Sequence, residues 1–286
     1  MNKCYRIHTI SKDWGIIMFE QVFDEKEVLD YIADEKEINL FIYGDIMNFG
    51  LKNKICRVYL NKIKNRIDSL ILVYQEKNIV FYSKYNDFDI DEVISFLQKT
   101  NFSVISGKEN LISRFLNKLD GYELESTYMT RYNLNKDNSK LDSNDSSVRM
   151  LTTKEDFTKA FNLLKTIKEF EGSNTSTLEE YISDSIEGLN NGTHKYGYFI
   201  NASLIAMGGT TAENKISSMI VAVCCDKNYR NKGYATKVIN YICMDATRKK
   251  QEFLCLFYNN PLAAKIYHKV GFVDLEKYGM IKKITK

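Results

Sequence analysis

Histidine is scarce in this chain of 286 residues, which has three, His8, His194 and His268. They are far apart, unlike the closely spaced ligands of a metal centre, so no metal site is predicted. None of the six cysteines belongs to a C-x-x-C pair. The first residues lack a basic segment followed by an apolar one, so a reducing cytoplasm is the expected setting.

Long apolar runs are also missing. The nearest are short strand-like pieces such as Ser69–Tyr74, well below the about 20 residues of a membrane-spanning helix. A dominant charge of one sign is missing as well, because 40 basic and 37 acidic residues are interspersed and leave a net charge of +3. We therefore expect neither a membrane surface nor nucleic acid as a partner.

Length and composition favour two globular domains. A chain of 286 residues exceeds the usual size of one domain, and its 44% hydrophobic residues are spread over the whole length. The stretch 135–147 is polar except for Leu141, which predicts a linker. We expect a divergent first domain at 1–134 and a second domain at 148–286.

Hydrophobic periodicity predicts an α/β (α+β) fold. Before the linker it predicts a helix, two or three strands with polar turns, a second helix, and a strand followed by a helix after Gly107. After the linker the predicted order is strand, two helices, three strands, helix, strand, helix and strands. Thr152 or Thr153 and Ser176 are the predicted caps of the two helices. This order indicates a mixed, mostly antiparallel sheet flanked by helices, with parallel pairing only where a helix intervenes.

The first chemical pattern is a strand, a short basic loop with Arg230, Lys232 and Gly233, and a helix. The helix carries one apolar stripe, formed by Ala235, Val238, Ile239, Ile242, Cys243 and Ala246. The first turn of a helix exposes unpaired N–H groups, and glycine permits close approach of an anion. The junction therefore predicts a pyrophosphate site, with a basic solvated loop as an equal alternative. Neither G-x-x-x-x-G-K-[ST] nor G-x-G-x-x-G occurs there, which disfavours mononucleotide and dinucleotide folds.

A second strand and helix follow. Asn260 and Pro261 predict the start of the helix, and Gly271 predicts its end. The predicted buried stripe consists of Leu262, Ile266 and Val270. Tyr267 lies beside that stripe, and from the residues alone a packed core tyrosine is the favoured interpretation.

The two segments together contain R-x-x-G-x-A followed by N-x-x-A-x-x-x-Y-x-x-x-G-F. In this chain the second motif is formed by Asn260, Ala263, Tyr267, Gly271 and Phe272. Their spacing and order resemble the GNAT superfamily of acetyl-CoA-dependent N-acetyltransferases. The close resemblance covers about residues 196–280 and is strongest to two-domain bacterial members with a divergent first half. Lys227 stands where many relatives have proline.

The resemblance implies a GNAT-like second domain and a degenerate GNAT-like first domain. It implies transfer of an acetyl group from acetyl-CoA to a primary amine of a small molecule or peptide, without a metal. A non-catalytic acyl-CoA-binding regulatory module is the alternative. The implied oligomeric state is a monomer whose two halves pack as a dimer would, and a homodimer is the alternative. The residues implied to bind acetyl-CoA are Val221, Val223, Cys224, Cys225, Arg230, Asn231, Lys232, Gly233, Tyr234, Ala235, Thr236, Asn260 and Tyr267.

The resemblance also implies roles in catalysis. Backbone groups of 221–225 would align the pantetheine arm and stabilise an oxyanion. Tyr267 would act as general acid toward the departing CoA thiolate. An alkyl amine with a pKa of about 10.4 needs a base, and Glu213 and Glu171 are the candidates, although each is more commonly an ordinary solvated carboxylate. Cys224 and Cys225 would act as nucleophiles only if the acetyl group passed through a covalent enzyme intermediate. The favoured interpretation is that both are small packing residues of a buried strand.

Overall fold

The two halves of the chain repeat one order of secondary structure. A computed structural model describes residues 19–134, 146–170 and 176–284. The first half contains β1 (Glu20–Val22), α1 (Glu25–Ile32), α2 (Leu40–Phe49), β2 (Cys56–Ile63), β3 (Arg66–Tyr74), β4 (Asn78–Tyr82), α3 (Ile90–Gln98), β5 (Val104–Lys108), α4 (Glu109–Ile112) and β6 (Tyr122–Asn133). The second half contains β7 (Val148–Met150), α5 (Lys154–Lys165), α6 (Leu178–Asn190), β8 (His194–Ile200), β9 (Ser203–Thr211), β10 (Ser217–Cys225), α7 (Tyr234–Arg248), β11 (Phe253–Tyr258), α8 (Pro261–Val270) and β12 (Val273–Lys283).

All of these strands form one sheet, in the order β1-β2-β3-β4-β5-β12-β6-β11-β10-β9-β8-β7. The pairs β4–β5 and β10–β11 are parallel, and a helix intervenes in each case. β6 ends the first half but pairs with β11 and β12, whereas β12 ends the second half and pairs with β5 and β6. The halves thus exchange their last strands. The predicted mixed, mostly antiparallel sheet is confirmed, and most of the predicted linker, 135–145, lies outside the described residues.

Helices cover both faces of the sheet. In the first half, α3 packs on one face and α1 and α2 on the other. In the second half, α7 and α8 pack on one face, and α5 and α6 pack on the opposite face. The apolar stripe predicted for α7 is buried, as shown by Val238, Ile239, Ile242, Cys243 and Ala246.

Side-chain caps explain where two helices of the second half begin. Thr153 accepts a hydrogen bond from the Asp156 N–H, and the Asp156 carboxylate accepts one in return, so the predicted start of α5 is confirmed. The cap predicted at Ser176 is wrong by one residue, because Thr177 and Glu180 form the same reciprocal pair at the start of α6. The helix predicted after Gly107 is also shorter than expected, since α4 passes into 3₁₀ turns at Ser113–Lys118.

Helix α2 was not predicted. Ile42 and Ile46 pack into the core of the first half, whereas Leu40 packs with Met219 and Phe253 of the second half. A helix covered on two sides has apolar residues nearly all round and shows little helical periodicity. The fold therefore uses α2 to cover part of the sheet in the second half.

Among the described residues, no helix is long and apolar enough to cross a membrane. The same residues include no group of three or more His, Cys, Asp or Glu side chains that could hold a metal ion. His194 and His268 instead contact single carboxylates, Glu213 at 3.1 Å and Asp274 at 2.9 Å. His8 lies outside the described residues.

We expect Gly107→Ala to destabilise the protein. Gly107 pairs with Phe81, and a Cβ at position 107 would lie 2.4 Å from the Phe81 carbonyl oxygen. Because that oxygen belongs to the backbone, β4 and β5 must separate, which costs about 2 kcal/mol or more. Denaturant unfolding measures the change, and Ser106→Ala at the neighbouring position is the control, with an expected loss below about 1 kcal/mol. Equal stability of the two variants would contradict this account.

Candidate functional site

The central feature of the second half is a gap between two parallel strands. β10 pairs with β11 only from Ser217 to Ile220. Beyond that point the pairing of β10 with β9 shifts register between Val221 and Cys224, and Ala222 has a φ of 53°. A bulge of this kind bends the strand and removes residues from the ladder. Val221 is 37% exposed although β10 lies inside the sheet, so the gap is open to solvent.

The loop that follows β10 leads into an uncapped helix. Asn231 and Gly233 have φ values of 63° and 82°, and Gly233 is the N-cap of α7 without a side-chain cap hydrogen bond. The N–H groups of the first turn, which includes Tyr234, Ala235 and Thr236, therefore have no capping side chain. A Cβ built on Gly233 would meet no atom within 4 Å, so the space in front of it is open. This junction can accept an anion.

Cationic side chains surround the same loop. The Arg230 Nε donates to the carbonyl oxygen of Cys225 at 3.3 Å, and its guanidinium lies 3.8 Å from the Glu169 carboxylate. The ammonium of Lys232 lies 5.5 Å from the centre of the Tyr229 ring. Both cations are exposed enough to turn toward an anion at Gly233, and Arg230 can hold a phosphate in a bidentate manner.

Helix α8 brings Tyr267 to this region. The Asn260 side chain accepts from the Leu262 N–H at 2.9 Å, and Gly271 ends the helix with a φ of 116°, as predicted. Tyr267 is buried, and burial followed by the nearby Cys224 thiol raises its pKa to about 12. The prediction that Leu262 is buried is wrong, because it is 69% exposed in the first turn, beyond the end of β11. The helix thus places a protonated hydroxyl near β10.

The two adjacent cysteines have unreactive surroundings. Burial and the neighbouring Cys225 raise the pKa of the Cys224 thiol to about 12. Burial also raises the pKa of Cys225. A thiol must ionise to attack a thioester, so these surroundings favour the interpretation of both cysteines as packing residues.

The structure does not bring Glu213 to the gap. Glu213 precedes β10, and its carboxylate contacts Lys249 at 3.0 Å, just beyond the last residue of α7. Because α7 has 15 residues, that end lies about 22 Å from Gly233. Burial acts to raise the pKa of Glu213, but hydrogen bonds from His194 and Lys249 outweigh it and lower the pKa. Glu171, the other predicted base, lies outside the described residues.

A known family matches the part of the chain that contains the gap, the loop and α8. The family described as Acetyltransferase (GNAT) domain matches residues 195–274. The second half carries a GNAT domain. None of the curated proteins is similar in sequence to this chain.

Solved structures show the same fold over nearly the whole chain. A Drosophila protein has a TM-score of 0.64 at 13% identity, covering 94% of this chain and 99% of its own. A GCN5-related N-acetyltransferase from Sphaerobacter thermophilus has a TM-score of 0.57 at 11% identity, covering 90% and 91%. A tandem GNAT protein from the clavulanic acid biosynthesis pathway has a TM-score of 0.54 at 9% identity, covering 94% and 99%. These identities support a shared fold and nothing finer.

The corresponding junction of the first half differs from that of the GNAT domain. There β4 remains paired with β5 as far as Phe81 and Gly107, so no gap forms at that point. The Asp89 carboxylate caps α3 by accepting from the N–H groups of Asp91 and Glu92 at 2.9 and 3.1 Å. Asp89, Asp91 and Glu92 thus place three carboxylates at the start of α3, and two of its first-turn N–H groups are already occupied. This helix start repels an anion.

Sequence reasoning did not single out two residues that lie on the same face of the sheet as Val221 at the edge of the gap. Lys195 lies on β8 and Tyr181 lies on α6, on the face of the sheet opposite α7. Neither belongs to a motif with recognisable spacing. Strand register and the packing of α6 bring them together, so no local signal in the sequence could have identified them.

Cys224 should resist alkylation in the folded protein. At pH 8 almost none of a buried thiol with a pKa of about 12 is ionised, so iodoacetamide should leave Cys224 unmodified while it labels the same residue in urea. Peptide mass spectrometry measures the labelled fraction, and the unfolded sample is the control. Modification of Cys224 at the same rate in both samples would show that the thiol is accessible and reactive.

Proposed function

We propose that this protein transfers the acetyl group of acetyl-CoA to a primary amine of a small molecule or peptide. The observation that carries the proposal is the uncapped start of α7 at Gly233 beside the gap between β10 and β11. The helix start suits the pyrophosphate, and the gap suits the extended pantetheine arm. The two features follow each other along one strand and one loop, so a single extended ligand can use both.

In the proposed complex, backbone and side-chain groups have separate tasks. Arg230, Lys232 and the first-turn N–H groups of α7 neutralise the pyrophosphate. The bulged segment Val221–Cys225 offers backbone groups to the pantetheine arm, since the bulge removes Ala222 and Val223 from pairing with β9. The remaining residues proposed to line the binding site are Cys225, Asn231, Tyr234, Ala235, Thr236, Asn260 and Tyr267.

The proposed reaction is direct attack. The lone pair of the neutral amine attacks the thioester carbonyl carbon, so that a C–N bond forms and the C–S bond then breaks. A backbone N–H of the bulged segment stabilises the oxyanion between these steps. Tyr267, protonated at neutral pH because of its pKa of about 12, donates a hydrogen bond to the departing thiolate. The nitrogen loses one proton and the thiolate gains one, so the neutral amine and acetyl-CoA give the amide and the CoA thiol with no net change in protons.

We also propose that the chain is a monomer in the reducing cytoplasm. The exchange of β6 and β12 already gives each half a partner within the same chain, as a dimer interface would. The cysteines of the described residues are free thiols, in keeping with a reducing compartment.

Gly233→Ala should weaken acetyl-CoA binding at least about tenfold, because the methyl group occupies the anion's approach and alanine disfavours a positive φ. Isothermal titration calorimetry measures the affinity. Gly121→Ala is the matched control, since Gly121 has a φ of 80° and a Cβ there would also meet no atom within 4 Å. Binding that is unchanged in both variants, or absent in the wild type, would refute the proposed site.

Tyr267→Phe should leave the affinity for acetyl-CoA unchanged and lower turnover roughly 100-fold, because the thiolate loses its hydrogen-bond donor. A thiol-detecting assay of CoA release with a panel of amines measures turnover. Tyr196→Phe is the control, since Tyr196 is equally buried but donates to Asp245 near the far end of α7. Undiminished turnover of Tyr267→Phe would reject the role, and a wild type that binds without turnover would be a regulatory module.

A further inference from the structure

Lys195, Gly209 and Val221 form one row across β8, β9 and β10. Directly paired residues place their side chains on the same face of a sheet. Gly209 has no side chain, and a Cβ built there would lie 3.6 Å from Cγ of Lys195, so the lysine stem occupies the adjacent space. Two strand spacings correspond to about 10 Å between the Cα atoms of Lys195 and Val221. Nothing from Gly209 separates the lysine from the open gap.

The ammonium group of Lys195 lies among aromatic rings. Its Nζ is 5.2 Å from the centre of the Tyr181 ring and 5.7 Å from that of Phe157. Within the described part of the chain Lys195 forms no ion pair within 4 Å; burial lowers its pKa, and the more distant carboxylate of Asp184 acts against that shift. Cation–π contacts offset part of the cost of removing this charge from water, but they do not neutralise it, and Asp184 makes no direct ion pair with it.

The hydroxyl of Tyr181 is a second unused polar group on the same face. It is buried and has no hydrogen-bond partner. Ser185 acts to lower its pKa, but the Ser185 hydroxyl itself donates to the Tyr181 backbone carbonyl oxygen at 2.6 Å; burial, followed by the nearby thiol of Cys224, outweighs this effect and raises the pKa, so the tyrosine remains a donor. A buried donor without an acceptor is unfavourable, and here the donor lies close to the bulged strand at the gap.

We propose that Lys195 and Tyr181 bind a carboxylate of the acceptor, so that the acceptor is an amino acid or another amine that also carries a carboxylate. This rests on the proposed acetyl transfer. One ammonium and one hydroxyl match the single charge of a carboxylate, whereas a phosphate dianion calls for further cations or a bidentate guanidinium. The lysine stem and a small amino acid together span the distance from β8 to the gap.

The test compares kcat/KM for a panel of amino acids with that for their carboxamides, which differ only in the charge. The wild type should prefer the acids by at least about tenfold, mainly through KM, because a charge-assisted contact is lost in the amide. Lys195→Met should abolish this preference, Lys195→Arg should keep part of it, and Tyr181→Phe should reduce it. Tyr181→Phe should also melt no lower than the wild type, since it removes an unpaired buried hydroxyl.

Lys165→Met is the matched control. The ammonium of Lys165 also lies over an aromatic ring, 5.2 Å from the centre of Phe161, but this side chain is exposed on α5. It should retain the preference for acids. Thermal unfolding and acetyl-CoA affinity should remain unchanged in Lys195→Met, so that a loss of preference reports recognition rather than folding.

Two results would overturn the inference alone: turnover of acids and amides with equal efficiency by the wild type, or an unchanged preference in Lys195→Met. A preference for aminoalkyl phosphates over amino acids would also overturn it. If the wild type binds acetyl-CoA but acetylates no amine, the proposed transferase activity fails, and this inference fails with it.

Discussion

The exchange of β6 and β12 is the constraint on which the architecture depends. β12 lies between β5 and β6, and β6 lies between β12 and β11, so the sheet is continuous only when both halves are folded. The same arrangement brings α2 of the first half onto the second half, where Asn48 donates to the Glu213 carbonyl oxygen at 3.1 Å. The GNAT domain is therefore supported on one side by strands and a helix from the other half. Pairing between residues so far apart in sequence also implies slow folding.

The halves share an order of elements but differ at the junction between the fourth strand and the following helix. In the second half a bulge at Ala222 turns β10 away from β11, and glycine starts α7 without occupying its N–H groups. In the first half the strands remain paired, and Asp89 occupies the corresponding donors. A few residues thus separate an open junction without a capping side chain from a closed, acidic one.

Local signals in the sequence predicted where the helices around the candidate site begin and end. Gly233, the Asn260 cap and the apolar stripe of α7 act through neighbours within one or two turns, so pattern and structure agree. Predictions that depended on distant packing fared worse. Glu213 is close in sequence to β10, but the strand runs away from it, so it lies at the end opposite the loop. Leu262 fits a buried stripe by spacing, yet it lies in a turn with no sheet beneath it.

The amino-acid order alone was enough to specify the basic loop, the starts of α5, α7 and α8, and the alternation of strands and helices apart from α2, because these follow from backbone hydrogen bonding and side-chain size within short stretches. Pairings between residues tens to hundreds of positions apart decide the rest. They determine which strands are neighbours, where β10 leaves β11, and which side chains share a face of the sheet. Lys195 illustrates this, because its position in a row with Val221 results from the register of three strands. Such contacts form only when the chain folds back on itself, and no short segment encodes them.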